Sequence, residues 1–391
     1  MHVGVYNEPS GTMGGSEYLV SVIADALAAR HDVEIVHHNP RLTLEQLRAQ
    51  SGLALNRVTL RRVSREEAPD PRVPKGFRQL RHRYDVQRAW HATLSRPYDV
   101  FINSTHGVPP FCHAKRGVLL TLFPLYSRRR MWPWVEPGPP TTERRALTLY
   151  FDWMWRRRFG SYQHRYSISR YTRRWTKAWW NVDTDVLYPP VDTRFEESSK
   201  ADLILSVGRF STYSHSKRQI ETMRAFCEMK TTLPGEWSYY SVGGLIANPD
   251  DQAYFVEVSR IAATCGARAI PNVARTALRD LFARAKVFWH AAGFGAAANA
   301  GPFEAEHFGI STVEAMAAGA VPVVYDQGGQ SEIVEHGSSG FLWSTLDELR
   351  TFTERLAGDD TLRNTMATAA RARAAMFSRE RFVAAVDRIV G

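Results

Sequence analysis

The stretch EHFGISTVEAMAAGAVPVVYDQGGQSEIVEHGSSGFLW (306–343) decides the fold of this chain. A helical segment begins near Gly309 and is followed by VPVVY (321–325), an apolar run of strand length. Glu306 precedes the helix, and Glu314 lies one turn into it. In an open parallel sheet, ligands bind beyond the carboxyl ends of the strands, where a helix N-terminus offers unpaired N–H groups. The stretch therefore predicts a phosphate-binding helix end flanked by two carboxylates.

The same alternation of apolar and amphipathic segments extends outward from this stretch, and it predicts parallel sheets with crossover helices. One series begins at HVGVY (2–6) and continues into a helix from Ser16, and a second begins at DLILSV (202–207). The stretch from about 40 to 95 is polar and gives no clear assignment. LYPPVDTRF (187–195) separates the two series, because its two prolines cannot lie inside a helix.

We therefore predict an α/β protein made of two Rossmann-like, doubly wound domains. The expected boundaries are 1–185 and 186–376, with a last helix at 377–391 that crosses back to the first domain. A length of 391 residues suits two domains of ordinary size, and 44% hydrophobic with 23% charged residues is ordinary globular composition. These values exclude a disordered or collagenous protein.

The three cysteines are scattered, without a CxxC pair or a His/Cys cluster. We therefore expect neither a structural zinc site nor a disulfide framework, and a reducing compartment. The first residues lack a basic segment followed by an apolar one, and the apolar runs are far shorter than the ~20 residues that cross a bilayer. The prediction is a soluble, cytoplasmic protein.

The stretch 306–343 resembles the signature of family 4 glycosyltransferases, the retaining enzymes of the GT-B fold. Their pattern is E-x-F-G-x-x-x-x-E-A-M-A-x-G, then P-V-V, then G-G-x-x-E-I-V, then G-x-x-G-F-L. This chain matches it at Glu306, Phe308, Gly309, Glu314, Ala315, Met316, Ala317, Gly319, Pro322, Gly328, Gly329, Glu332, Gly337 and Gly340. The resemblance is close in the C-terminal half and loose in the N-terminal half.

The resemblance implies transfer of a hexose from a nucleoside diphosphate sugar to a hydroxyl acceptor, with retention at the anomeric carbon. The second domain then binds the donor and the first faces the acceptor. Glu306 and the amides after it hold donor sugar hydroxyls, and Glu314 holds the ribose. The other donor-binding positions predicted in this segment are His307, Phe308, Gly309, Ile310, Ser311 and Thr312.

A second motif, VGRFSTYSHSKRQ (207–219), places Arg209 at a strand end and Lys217 at a helix start. Two cations there neutralise the charge that develops on a diphosphate leaving group. With WHAAGFG (289–295), the motif resembles a subgroup that includes GDP-mannose-dependent mannosyltransferases of dolichol-linked oligosaccharide assembly and bacterial relatives. His290, at the end of its strand, also fits a simple packing role.

On the acceptor side, Gly14 and Gly15 are expected to add N–H donors to the phosphate site. Many family 4 enzymes carry a histidine after a late strand of the first domain, where this chain has Phe123-Pro124. His106, after the preceding strand, is the candidate substitute, and a structural role fits it equally well. DTD (183–185) matches a metal motif of GT-A enzymes but is expected to be a surface turn. The resemblance implies no metal and no cofactor.

The net charge of +10 is concentrated in one stretch, 126–180, which has thirteen Lys or Arg against three Asp or Glu. It also holds seven of the eleven tryptophans. Interleaved Trp and Arg suit the interface of an anionic membrane, at the inner face where a lipid-linked acceptor is presented. The alternatives are buried tryptophans with a solvated arginine rim, or an acidic soluble acceptor. Nucleic-acid binding is not expected.

Three other classes share parts of this pattern. A non-catalytic nucleotide-sugar-binding protein would keep the donor residues without turnover. A GT-B epimerase or phosphorylase would need different catalytic residues. An NAD-dependent oxidoreductase would need a GxGxxG turn after a strand, and neither domain starts with one.

Overall fold

The computed structural model describes residues 1–7, 14–64, 77–127, 142–212, 216–296 and 301–391. The chain forms two compact units. The first contains Met1–Ile168, Thr172–Leu187 and Val383–Gly391, and the second contains Ser169–Tyr171 and Tyr188–Phe382. The main change of unit thus follows Leu187, two residues beyond the predicted boundary, and the chain's last residues belong to the first unit.

The first unit is built on a parallel sheet of seven strands in the order β3-β2-β1-β4-β5-β6-β7. Its strands are β1 (His2–Asn7), β2 (Asp32–His37), β3 (Val58–Arg62), β4 (Val100–Thr105), β5 (Arg116–Thr121), β6 (His164–Ser167) and β7 (Asp185–Val186). Its helices are α1 (Gly15–Leu27), α2 (Leu44–Ser51), α3 (Phe77–Ser95), α4 (Thr142–Gly160) and α5 (Arg170–Trp180), whose first two residues belong to the second unit.

The second unit is built on a parallel sheet of six strands in the order β10-β9-β8-β11-β12-β13. Its strands are β8 (Ala201–Val207), β9 (Ser238–Gly243), β10 (Arg268–Pro271), β11 (Ala285–His290), β12 (Val321–Tyr325) and β13 (Phe341–Trp343). Its helices are α6 (Gln219–Met229), α7 (Pro249–Cys265), α8 (Arg275–Arg284), α9 (Ile310–Ala317), α10 (Gln330–Ile333), α11 (Leu346–Gly358) and α12 (Asp360–Ala374). The last helix, α13 (Arg379–Val390), starts in this unit and ends in the first.

These two sheets confirm the predicted α/β architecture of two Rossmann-like domains. The unassigned stretch from 40 to 95 contains α2, β3 and α3. Thr43 and Gln46 form a capping box at the start of α2, and Gly52 ends it in a left-handed conformation. The strand β3 lies at the sheet edge, where three of its five residues are half-buried or buried and two are exposed. An edge strand has little continuous apolar sequence, which explains why the pattern did not indicate it.

The tryptophans of the basic stretch divide between core and surface. Trp155 and Trp180 are 3% and 1% exposed, and their rings pack edge to face at 6.0 Å. Trp153, on the same helix as Trp155, is 40% exposed, and Leu149 one turn earlier is 67% exposed. Packing therefore explains only some of the aromatic residues in this stretch.

The expectation of unpaired cysteines is wrong for two of the three. Cys227 on α6 and Cys265 on α7 form a disulfide, with their Cα atoms 5.3 Å apart. They are 38 residues apart in the sequence, and only the packing of α6 against α7 brings them together. Cys112 in the first unit is a buried thiol, and burial raises its pKa to about 11.

Within the described ranges, no helix is both long enough and apolar enough to span a bilayer.

Candidate functional site

The strands β8 and β11 are neighbours at the centre of the second sheet, and the chain proceeds from them to opposite sides of it. Such a point in a doubly wound sheet opens a crevice beyond the strand ends. Arg209 follows β8 by two residues, and His290 is the last residue of β11. Lys217 and Glu306 lie in the loops that follow these strands. The fold therefore brings residues from two distant parts of the sequence to the carboxyl ends of neighbouring strands.

Lys217, Glu306 and His290 form one hydrogen-bonded cluster. The ammonium of Lys217 donates to Oε2 of Glu306. The Nε2 atom of His290 lies 3.0 Å from the same oxygen. The side chain of His290 is only 2% exposed, and those of Lys217 and Glu306 are 21% and 17% exposed. A buried carboxylate thus receives two donors on a single oxygen.

The cluster sets the charge of each group. Burial raises the pKa of Glu306, but the nearby Lys217 and the His290 hydrogen bond outweigh it and hold that pKa well below its usual range. Burial lowers the pKa of His290, and Glu306 offsets this only in part. At neutral pH, Glu306 is therefore a carboxylate and His290 a neutral imidazole.

The backbone of Glu306 rests on the two glycines of the 306–343 stretch. Gly329 donates its N–H to the carbonyl of Glu306 at 2.7 Å. Gly328 has φ +74°, and a Cβ at this position would clash with the same carbonyl. The two glycines are therefore required for the close approach of the two loops. They fix the position of the Glu306 backbone, from which the carboxylate side chain extends.

Helix α9 begins directly after this loop. Its N-cap is Gly309 with φ +120°, and no described side chain caps the helix. The amides of Ile310, Ser311 and Thr312 form its first turn, where N–H groups have no intrahelical acceptor. The preceding Phe308 side chain is 2% exposed. A ligand could therefore meet the helix through backbone N–H groups, whereas Phe308 serves the core.

The two remaining residues of this segment are His307 and Glu314. His307 is 6% exposed, and its carbonyl accepts a hydrogen bond from Ser169 at 2.6 Å. Glu314 is half-buried on α9. Burial, which Arg275 offsets only in part, raises the pKa of Glu314 to about 7. The two glutamates of the motif thus differ sharply in proton affinity.

Arg209 is exposed in the loop after β8. Gln219, to which the sequence analysis assigned no role, holds this loop in place. The Nε2 atom of Gln219 donates to the carbonyls of Gly208 and Arg209, at 3.2 and 2.9 Å. The hydroxyl of Tyr254 in turn bonds Gln219 at 3.0 Å. Gln219 is the last residue of the motif VGRFSTYSHSKRQ (207–219), so the motif already contained the residue that holds the Arg209 loop.

The predicted residues Gly14, Gly15 and His106 lie in the first unit. Gly14 precedes α1, and its N–H donates to the carboxylate of Glu17 at 2.8 Å. Gly15 is the first residue of α1. His106 is half-buried after β4, and its carbonyl accepts from Leu125 at 3.1 Å. An intramolecular carboxylate therefore already uses one of the predicted phosphate donors.

The structure also places Phe123, which stands where many family members have a histidine, and the DTD sequence, which matches a metal motif. Phe123, at the position of the usual family histidine, is fully buried and packs edge to face on Trp179 at 6.1 Å. In the DTD sequence, Asp183 is exposed and pairs with Lys177 at 2.8 Å. Across the described residues, no group of three His, Cys, Asp or Glu side chains is arranged to hold a metal ion.

A family model, a sequence relative and solved structures are similar to parts or all of this chain. Residues 192–373 match the model of the family "Glycosyl transferases group 1". A GDP-Man:Man(3)GlcNAc(2)-PP-Dol alpha-1,2-mannosyltransferase of Dictyostelium discoideum is 28% identical over 193 residues. That match covers 44% of this chain and 35% of the relative, so the chain spans about a third of the relative's length.

Solved structures resemble the whole chain. HepE from Anabaena, in complex with UDP and glucose, has a TM-score of 0.68 at 18% identity and 99% coverage of both chains. WaaG, a glycosyltransferase involved in lipopolysaccharide biosynthesis, has a TM-score of 0.63 at 14% identity and full coverage of both. At these identities the likeness concerns the fold, which is GT-B. Residues 192–373, within the second unit, are thus similar to the group 1 glycosyltransferases.

Proposed function

We propose that this protein transfers a hexose from a nucleoside diphosphate sugar to a hydroxyl acceptor, with retention at the anomeric carbon. The observation that carries the proposal is the Lys217–Glu306–His290 cluster beside the uncapped start of α9. Cations, a sugar-binding carboxylate and free helix N–H groups are what a diphosphate sugar requires. All of them lie within residues 192–373, the segment that matches the group 1 family model.

Arg209 and Lys217 are the proposed diphosphate ligands. An ammonium has three donors, so Lys217 can keep its bond to Glu306 while it contacts a phosphate oxygen. Glu306 then accepts from a donor sugar hydroxyl, and Glu314 accepts from the ribose. This division places the negative leaving group against positive charge, where stabilisation lowers the barrier most.

The proposed reaction is a front-face displacement, as the resemblance to retaining glycosyltransferases implies. The bond between the anomeric carbon and the diphosphate oxygen breaks, and a bond to the acceptor oxygen forms on the same face. The acceptor proton passes to the departing phosphate oxygen, and the nucleoside diphosphate leaves. Positioning and charge stabilisation are the protein's contributions.

GDP-mannose is the donor we favour, because the Dictyostelium relative is named for that donor. The complex of HepE with UDP and glucose makes a UDP-sugar the first alternative. A thermal-shift panel of GDP, UDP, ADP and dTDP tests the base, since a ligand that binds only the native state raises its apparent stability. A clear response to GDP alone supports GDP-mannose as the donor. A response to another nucleoside diphosphate would make a sugar nucleotide of that base the proposed donor instead.

The panel is followed by a turnover assay with the sugar nucleotide of the responding base. Glycosidic product with the α or β configuration of the donor, assigned by NMR, supports retention, and the opposite anomer overturns it. Binding without transfer or donor hydrolysis would identify a non-catalytic binding protein. Conversion of the sugar nucleotide without an acceptor would identify an epimerase.

We further propose that no metal takes part, because Arg209 and Lys217 supply the positive charge at the diphosphate. Turnover is then unchanged by EDTA and by added Mg²⁺. A loss of turnover in EDTA that Mg²⁺ restores would contradict this.

The acceptor is proposed to be lipid-linked, with the first unit docked on acidic lipid at the cytoplasmic face. The exposed side of α4 supports this: Leu149 and Trp153 lie one turn apart, and exposed arginines lie beside them. The guanidinium of Arg157 lies over the Trp153 ring, 5.3 Å from its centroid. Indole and arginine together suit headgroup depth, where each basic residue adds about 1 kcal/mol.

Co-sedimentation with anionic liposomes tests the docking. Within the basic stretch 126–180, the run Arg128–Arg130 is a natural target for charge reversal, but it lies outside the described residues, so the test variants come from α4. Binding should fall with salt and weaken at least fivefold in the Arg156→Glu/Arg157→Glu and Leu149→Ser/Trp153→Ser variants. Val256→Ser is the matched control, because Val256 is 64% exposed but lies on α7 of the second unit. If wild-type protein ignores anionic vesicles at low salt, a soluble acceptor replaces the membrane.

A further inference from the structure

His290 is the most deeply buried member of the cluster that holds Glu306. It ends β11, and its ring is enclosed at the centre of the second sheet. Its Nε2 atom and the Lys217 ammonium both contact Oε2 of Glu306. The structure gives Oε1 of Glu306 no partner among the described residues, so the two carboxylate oxygens are not equivalent.

The protonation pattern of the ring follows from its partner. A carboxylate only accepts hydrogen bonds, so Nε2 of the neutral imidazole must carry the hydrogen. The Nδ1 atom is buried and has no hydrogen-bond partner among the described residues. His290 is therefore a one-sided donor, aimed at Glu306, with its second nitrogen unused.

We propose that His290 is a positioning residue, which holds Oε2 of Glu306 so that Oε1 faces the hydroxyl of the donor sugar. This inference rests on the proposed function of Glu306. With Oε2 held on one side by a rigid ring and on the other by Lys217, the carboxylate cannot turn when the lysine also engages phosphate. His290 thus keeps the sugar-binding group in place independently of the flexible cation.

Paired substitutions separate positioning from packing. His290→Gln keeps an N–H donor near the position of Nε2, whereas His290→Leu fills similar space without a donor. We expect kcat of His290→Leu to fall at least tenfold and that of His290→Gln to stay within about threefold. His91→Gln is the matched control, because His91 is another buried histidine but lies in the first unit.

The pH profile provides a readout that a packing role would not move. The neighbours that act on Glu306 are the charged Lys217 and the hydrogen-bond donor His290, and both favour its carboxylate form. Measured in a Glu314→Gln background, so that Glu314 does not titrate, removing the His290 donor in His290→Leu should therefore shift the acidic limb of kcat/KM upward by about one pH unit. An unshifted limb with unchanged kcat in His290→Leu would overturn the proposal.

Nitrogen-15 NMR of the ligand-free protein tests the geometry without reference to activity. The wild-type ring should show hydrogen on Nε2 and a bare Nδ1, and Glu306→Ala, which removes the acceptor, should remove this preference. Hydrogen on Nδ1 in the wild type would overturn the positioning proposal, whatever the activities are. Full donor turnover by Glu306→Gln, with the expected NMR pattern, would instead overturn the proposed function of Glu306.

Discussion

Each of the two parallel sheets has a point from which the chain continues in opposite directions, between β1 and β4 in the first unit and between β8 and β11 in the second. In the second unit, a lysine, a glutamate and a histidine converge there. In the first unit, the polar groups bond within the unit: the Gly14 N–H donates to Glu17, and the buried Asn103 contacts Tyr162 at 3.3 Å. The same topology thus provides this position twice, and among the described residues the buried cluster of a lysine, a glutamate and a histidine lies in the second unit.

Two lysine–carboxylate pairs sharpen this contrast. In the first unit, Lys115 and Asp99 are 2.7 Å apart, and their side chains are 83% and 33% exposed. In the second unit, Lys217 and Glu306 are 21% and 17% exposed. Solvent screens the first pair, which therefore contributes little to stability. The second pair is shielded, so the loss of either partner leaves a poorly solvated charge.

The largest expected effect concerns stability. Reducing the Cys227–Cys265 disulfide opens a 38-residue loop in the second unit and should lower the free energy of unfolding by about 2–4 kcal/mol. The first unit has only the buried Cys112 among its cysteines and should be unaffected. Hydrogen exchange with and without a reductant measures both units at once. Equal loss of protection in both would mean that the units unfold as one.

The next effect concerns the two lysines. Lys217→Ala should cut turnover at least tenfold, because a charge-assisted contact to phosphate contributes about 1.5–3 kcal/mol. Arg209→Ala should act in the same direction. Lys115→Ala, the matched exposed lysine, should leave kcat and KM unchanged. Near-normal transfer by both Lys217→Ala and Arg209→Ala, in folded protein, would remove the diphosphate assignment.

A smaller effect appears in the pH dependence of donor affinity. Burial raises the pKa of Glu314 to about 7, and its carboxylate is the proposed ribose acceptor. Donor affinity should therefore fall as the pH drops below 7, approaching tenfold per unit. Calorimetry with the intact sugar nucleotide, whose phosphates do not titrate in this range, measures it. The Glu314→Gln variant should bind more weakly and without this pH dependence, and unchanged affinity would place Glu314 outside the site.

The pH dependence of stability in the ligand-free protein should be opposite to that of donor affinity, because both depend on the protonation of Glu314. Because the folded pKa of Glu314 lies above the ordinary 4.5, its contribution is full at low pH. It is lost as the pH rises from about 4.5 to about 7. Comparing the wild type with Glu314→Gln by denaturant unfolding isolates this contribution.

The smallest effect is expected at His106 in the first unit. If its side chain replaces the usual family histidine, one hydrogen bond near the transferring sugar is lost in His106→Ala, and kcat falls about fivefold. His113→Ala is the control, because His113 is another half-buried histidine of the same unit. Equal losses in both variants, together with lower melting temperatures, would mean that His106 is structural.

The sequence predicted the two-domain fold and most strands because buried parallel strands are continuous apolar runs. It missed β3, whose edge position leaves it half-exposed. It placed Lys217 at a helix start and Glu306 in the loop after a strand but did not pair them, because 89 residues separate them. From the sequence, a packing role also fitted His290, because only the folded loop brings Oε2 of Glu306 within 3.0 Å of its Nε2 atom. Contacts between distant loops, like the disulfide, follow from packing that no local pattern encodes.

The last helix has a consequence for the order in which a nascent chain can fold. Arg116 donates to the carbonyl of Val390, 274 residues later, and Arg30 pairs with Asp387. Val386, Ile389 and Val390 line an apolar cavity together with Ile102, Val118 and Leu120 of the first sheet. While the ribosome is still making the second unit, this apolar surface lacks its cover. The first unit must therefore wait, incomplete, until residues 383–391 have been made, which exposes it to chaperones and aggregation for longer.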